Sequence, residues 1–127
     1  CNYINEIDWF LKTKNKDVFT YVQHLIQMRK THPAFRMQTT EQIQKNLMFV
    51  ETDGSPCLVG YQLNGTAVND NWKNILVWFN GSDKEKIIPI KEGVGWKTAI
   101  INNQFVSNKS IDVITLQPYS CSVIYKD

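Results

Sequence analysis

The chain has 127 residues, enough for one domain or one domain with an attached piece. Hydrophobic residues make up 43% and charged residues 20%, and 14 basic against 12 acidic side chains leave a formal net charge of +2. Those charges are scattered, so neither nucleic acid nor an anionic membrane is offered a basic stripe, and no apolar run approaches the roughly 20 residues of a membrane helix.

Residue 1 is Cys, which reads as a chain cut from something longer. The three cysteines, Cys1, Cys57 and Cys121, are widely spaced and form no C-x-x-C pair. With only two histidines beside them, no structural zinc pattern arises, and neither a metal nor a cofactor is expected. The thiols are expected to be free, small and buried. A Cys57–Cys121 bridge would require their strands to be neighbours.

Residues 1–14 carry no clear period and read as an ordered loop or one helical turn, with Ile7 and Trp9 as its anchors. Residues 16–31 are the one convincing helix. At 100° per residue, Val18, Phe19, Tyr21, Val22, Leu25, Ile26 and Met28 cover about half its circumference. Asn15 and Asp17 suit its start, and Arg29 and Lys30 its end. Pro33 pushes His32 out of helical space. His24 falls on the polar face and reads as solvated. Thr39-Thr40-Glu41-Gln42 opens a short second helix. The period then changes from helical to alternating near Asn46, which sets the expected domains at 1–45 and 46–127.

From there strand follows strand: 47–51, 57–63, 74–80, 86–90, 96–101, a short pairing at 105–106, then 111–117 and 120–126. The run Ile75-Leu76-Val77-Trp78-Phe79 is apolar without a break, as in a strand covered on both faces, and Asn80-Gly81 ends it with a turn. Asp53-Gly54, Asn64-Gly65 and Glu92-Gly93-Val94-Gly95 mark further turns. The fold class expected is mainly β: an antiparallel β-sandwich of seven or eight strands preceded by one amphipathic α-helix.

The residues show little chemistry. Asp53, Asp70, Asp83, Glu85 and Glu92 sit in turns or on polar faces, where turn formation and solvation explain them. No nucleophile elbow, Walker loop or dinucleotide fingerprint occurs, so no catalytic residue is assigned. Asn64-Gly65-Thr66, Asn80-Gly81-Ser82 and Asn108-Lys109-Ser110 fit a glycosylation pattern, but each reads first as a turn. Aromatic side chains are the remaining binding candidates. Trp72, Tyr61 and Trp96 could form a sugar-binding platform, with core packing as the competing role. Trp72, in a polar loop, is the one to single out.

Ile4-Asn5-Glu6-Ile7-Asp8-Trp9, Lys16-Asp17-Val18 and Leu25-Ile26-Gln27-Met28-Arg29-Lys30-Thr31-His32-Pro33-Ala34-Phe35-Arg36 resemble the end of the catalytic barrel in pullulanases, of the α-amylase family of glycoside hydrolases. Ile75-Leu76-Val77-Trp78-Phe79-Asn80-Gly81, Gly95-Trp96 and Gln117-Pro118-Tyr119-Ser120 resemble the β-sandwich that follows that barrel. The resemblance implies a last barrel helix at 17–31 and a C-terminal sandwich from about 46. It implies a parent that cleaves α-1,6 linkages of α-glucans with a carboxylate pair at the barrel's strand ends. The parent would be bacterial, secreted or held at the cell surface. Those catalytic strands would lie upstream of Cys1. Asn5, in a loop like the one beside the family's cleft, is the second substrate-binding candidate. The implied partners are the catalytic barrel of the same polypeptide and an α-glucan. Without the barrel, a second copy of the chain is expected to cover the helix.

Overall fold

The computed structural model describes residues 6–52, 54–90, 95–106 and 108–127. Expectations about Cys1, Asn5, Asp53 and the turn at Glu92, Gly93 and Val94 lie outside the described residues. The chain divides into two compact units, Cys1–Thr31 and His32–Asp127.

The first unit is helical. Asp8 opens a short helix, α1 (Phe10–Lys14): its carboxylate accepts the Phe10 amide at 2.9 Å and its carbonyl accepts the Leu11 amide at 3.1 Å. Asn15 then carries the backbone into α2 (Lys16–Thr31), donating to the Leu11 carbonyl at 2.9 Å and accepting from the Phe19 amide at 3.1 Å. The Lys12 ammonium lies 4.4 Å from the Phe19 ring centroid, a cation–π contact between the two helices. Asp17 in the first turn and Arg29 and Lys30 in the last complement the helix dipole.

The bounds of α2 are those its sequence period predicts. No residue of α2 is buried, and Val18, Val22 and Ile26 are 57, 45 and 50% exposed. Ile7 and Trp9 are exposed as well, contrary to their expected role as anchors. The bonds around Asp8, not burial, hold that segment.

The second unit begins with the extended residue His32, at φ −111° and ψ 101°, and a 3-10 turn over Pro33–Arg36. Helix α3 (Thr40–Asn46) is capped by the Thr39 hydroxyl, which accepts the Gln42 amide at 3.2 Å. The Gln42 side chain reaches back to accept the Gln38 amide at 3.0 Å.

Among the described residues eight strands follow: β1 (Leu47–Val50), β2 (Leu58–Asn64), β3 (Asn74–Asn80), β4 (Lys86–Pro89), β5 (Lys97–Ile101), β6 (Gln104–Phe105), β7 (Val113–Leu116) and β8 (Ser120–Lys126). They form a six-stranded sheet in the order β1-β2-β3-β8-β5-β6 and a two-stranded sheet, β4-β7. Every pairing is antiparallel. This is the mainly β, two-sheet fold that the alternation predicts, with the amphipathic helix before it.

Strand β3 lies between β2 and β8, and Ile75, Leu76, Val77 and Trp78, alternating between its two faces, are all buried. On one face Leu76 and Trp78 join Leu58, Trp96, Ile114, Leu116 and Ile124 in the main core. Gly60 faces Trp78 in the register, and a Cβ on it would stand 2.4 Å from the indole. The ring therefore rests on bare backbone, which only glycine permits. On the other face Ile75, Val77 and Val123 are buried, while Phe49, Val59 and Phe79 remain open to solvent.

Two asparagine turns lock the strand ends. Asn80, only 2% exposed, donates to the carbonyls of Lys84 at 2.8 Å and Gln117 at 3.0 Å. It accepts the Ser82 amide at 3.1 Å and the Ser82 hydroxyl at 2.7 Å. Its side chain is thus a structural tie. Asn102 and Asn103, with φ of 49° and 65°, make the two-residue hairpin turn from β5 to β6.

Neither Cys57 nor Cys121 is in a disulfide, and neither is buried as expected: Cys57 is exposed and Cys121 half-buried. Cys57 precedes β2, Cys121 is in β8, and β3 runs between the two strands, so they are not neighbours.

Candidate functional site

A buried polar arrangement in the second unit centres on Asp70. The chain reaches it through a 3-10 turn, Thr66–Val68, and Asn69 in the left-handed region at φ 56°. The Asp70 amide returns to the Gly65 carbonyl at 2.9 Å. The loop closes so tightly that a Cβ on Gly65 would fall 1.9 Å from the Trp72 carbonyl oxygen.

The Asp70 side chain is fully buried. One carboxylate oxygen lies 2.8 Å from His32 Nδ1 and accepts the Trp72 amide at 2.9 Å; the other accepts the Ala34 amide at 3.0 Å. The expectation of a solvated turn carboxylate is corrected here. A buried carboxylate is tolerable because three donors converge on it. Two of the three are main-chain amides, so the carboxylate ties the 32–34 segment to the 70–72 loop.

The same contacts fix Trp72. Its ring stacks on His32 at 3.6 Å between centroids and on Tyr125 at 4.0 Å, with interplanar angles of 21° and 13°. Two near-parallel rings at these distances from one centroid cannot share a face, so they take opposite faces. Trp72, read from sequence as a loop aromatic open to sugar, is instead the middle of a three-ring stack. A sugar could stack on it only by displacing His32 or Tyr125. Trp96 is fully buried in the core, and Tyr61 is half-buried between Phe49 and Phe79, at centroid distances of 6.4 and 6.3 Å. The three proposed platform residues are therefore not brought together. Asn5 lies outside the described residues.

A cavity of about 450 Å³ opens between β1 and β4, floored by Leu58, Leu76 and Trp78. Glu51 and Lys86 are its charged wall residues, at opposite signs, and the rest of the lining is mostly apolar. Among the described residues no group of three or more His, Cys, Asp or Glu could hold a metal ion.

Burial shifts two phenols. Tyr61 is pushed above its usual value by burial and secondarily by the Cys121 charge; Tyr125 is pushed up by burial and then by Asp127, with Lys97 opposing. The Lys97 ammonium is raised by its hydrogen bond to Asp127.

Tyr119 was not singled out by the sequence, and it stands apart in the structure. It has φ 51°, in the left-handed region, and is 69% exposed. A bulky residue there costs about 1–3 kcal/mol, and little packing offsets it. The turn is over-determined by its neighbours. The Tyr119 amide donates to the Ser82 carbonyl at 3.2 Å and its carbonyl accepts Asn103 Nδ2 at 3.1 Å. Asn102 Oδ1 accepts the Gln117 amide at 2.9 Å and the Ser120 hydroxyl at 3.1 Å, while Asn103 Oδ1 accepts the Cys121 amide at 2.7 Å.

Residues 43–104 match the family model "Pullulanase, all-beta domain". A pullulanase of Bacillus subtilis (strain 168) is 34% identical over 79 residues, which is 62% of this chain and 11% of that protein. The chain thus spans about a ninth of that relative. Solved structures agree in fold. Pullulanase from Bacillus acidopullulyticus superposes with a TM-score of 0.85 at 31% identity, covering 98% of this chain and 15% of that one. Type I pullulanase of Bacillus subtilis str. 168, complexed with maltose, gives 0.87 at 24% identity, over 98% and 17% of the two chains. The Anoxybacillus sp. LM18-11 enzyme, complexed with maltotetraose, gives 0.83 at 25%, over 98% and 17%.

Proposed function

We propose that the chain, whose residues 43–104 match the pullulanase all-β domain, serves a pullulanase as a non-catalytic C-terminal scaffold. On this reading residues 1–45 close the catalytic barrel and residues 46–127 stabilise it, while hydrolysis of α-1,6 linkages belongs to the barrel elsewhere in the same polypeptide. The observation that carries the proposal is the use made of Asp70. It is the buried carboxylate among the described residues, and its bonds go to His32 and two main-chain amides.

The uncovered apolar side chains fit a scaffold that docks. Val18, Val22 and Ile26 on α2 are open to solvent, and so are Phe49, Val59 and Phe79 on the six-stranded sheet. The barrel is the cover this reading assigns to them. Free in solution, the chain would bury α2 against a second copy of itself. Incubating the purified chain with pullulan should release no reducing ends; sustained turnover would sink the proposal. Light scattering should report a mass above that of the 14.8 kDa monomer.

A second reading, α-glucan binding, is favoured by one feature: the exposed Tyr119 ring on its fixed turn. The maltose and maltotetraose complexes of the related pullulanases make α-linked glucose the sugar to consider.

A further inference from the structure

We propose that Asn64 is a self-modifying residue: the Gly65 nitrogen displaces its side-chain amide, and the isoaspartate that follows loosens the loop holding Asp70. The sequence holds two Asn-Gly pairs, Asn64-Gly65 and Asn80-Gly81. In such a pair the glycine has no side chain to keep its nitrogen away from the asparagine amide. The nitrogen loses its proton to base and bonds to the asparagine Cγ. The Cγ–Nδ2 bond breaks, and ammonia leaves with a proton from water. Water then opens the five-membered imide. Cleavage at Cγ leaves aspartate. Cleavage at the main-chain carbonyl leaves isoaspartate, whose backbone runs through the side chain and gains a methylene. Water is the only co-reactant.

The fold treats the two pairs differently. Both glycine amides are tied at 2.8 Å, Gly81 to the Cys57 carbonyl and Gly65 to the Lys73 carbonyl, so neither reacts until its strand end frays. The asparagine side chain decides between them. Asn80 is 2% exposed and bonded to the Lys84 and Gln117 carbonyls and to Ser82, and turning its Cγ toward the Gly81 nitrogen would break those bonds. Asn64 is the exposed last residue of β2, and its Nδ2 reaches Asn46 Oδ1 at 3.4 Å, a long bond on the surface. The consequence lies in what Gly65 holds. Its carbonyl accepts the Asp70 amide at 2.9 Å and the Val68 amide at 3.1 Å, and a Cβ on it would fall 1.9 Å from the Trp72 carbonyl oxygen. A backbone lengthened by one methylene just before Gly65 shifts it against that oxygen. Asp70, whose carboxylate serves His32 and Ala34, shifts with it.

The test holds the whole chain at mildly alkaline pH and follows its intact mass, with peptide mapping that separates aspartate from isoaspartate. The mass gain of the first deamidation should map to Asn64, at least about tenfold faster than to Asn80. Asn64→Gln, which would have to close a larger ring, should lose that event and melt as the wild type does. The isoaspartate form, separated by its added negative charge, should melt at least about 4 °C below the unreacted chain. Asn64→Asp, with the same charge on an ordinary backbone, should stay within about 2 °C of it. The urea-unfolded chain, in which neither pair is held, should convert at both at similar rates. No conversion at Asn64 in the folded chain would overturn the site. Equal rates at the two pairs in the folded chain would overturn the part given to the side-chain bonds. An isoaspartate form that melts with Asn64→Asp would overturn the effect on the Asp70 loop.

Discussion

Removing the Asp70 carboxylate should be among the most damaging single changes in the second unit. In Asp70→Ala three donors lose their acceptor: His32 Nδ1 at 2.8 Å, the Trp72 amide at 2.9 Å and the Ala34 amide at 3.0 Å. A hydrogen bond to a charged group is worth about 1.5–3 kcal/mol, and a stranded buried donor costs about 1–3 kcal/mol. The three do not add fully, because Trp72 is only half-buried and its amide regains water. We expect about 3–5 kcal/mol in total. That is a large share of the roughly 5–15 kcal/mol by which a domain is stable. Asp70→Asn separates shape from chemistry. Its oxygen can still serve His32 and Trp72, but its amide nitrogen then meets the Ala34 N–H, donor against donor, for a loss of about 2 kcal/mol. Urea unfolding followed by tryptophan fluorescence reads both. With a slope of about 1–3 kcal/mol per molar urea, the alanine variant should unfold about 2 M earlier at an unchanged slope. Asp70→Ala within 1 kcal/mol of wild type, or Asn as damaging as Ala, would refute this account of the hub.

Two further outcomes follow from packing and titration. Gly60→Ala should cost more than about 2 kcal/mol, since its Cβ would stand 2.4 Å from a buried indole that cannot swing aside; a melting point equal to wild type would contradict the close approach. Alkaline pH should destabilise the chain. Folding raises the Tyr61 and Tyr125 values, so the stability they contribute is complete below the unfolded tyrosine value of about 10 and drains away as pH climbs past it. Urea midpoints between about pH 8 and 11 should fall less steeply in Tyr61→Phe; identical declines would exclude Tyr61 as a cause.

Periodic features were legible from sequence, and contacts between distant residues were not. Strands β3 and β8 and helix α2 have the bounds that their patterns predict, because a local period and its terminators are written within each segment. The partition into six strands and two was not readable, since alternation gives a strand its faces but not its neighbours. The His32–Asp70 pair spans 38 residues, and neither a His before a proline nor an Asp in a polar loop announces the other. Trp72 was picked for its loop, yet His32 and Tyr125, both far from it in sequence, take the two faces of its ring. Tyr119 entered only as part of the Gln117-Pro118-Tyr119-Ser120 resemblance, because Pro-Tyr-Ser says nothing about a positive φ.

The three-ring stack bears on where this polypeptide can be divided. His32 and Ala34 lie more than ten residues ahead of β1, yet they belong to the same compact unit as the strands. Severing the backbone where alternation begins would discard the imidazole and leave a carboxyl group facing oil. The seam falls between Thr31 and that histidine, so the piece of linker that looks most dispensable carries the imidazole and the amide that keep Asp70 satisfied.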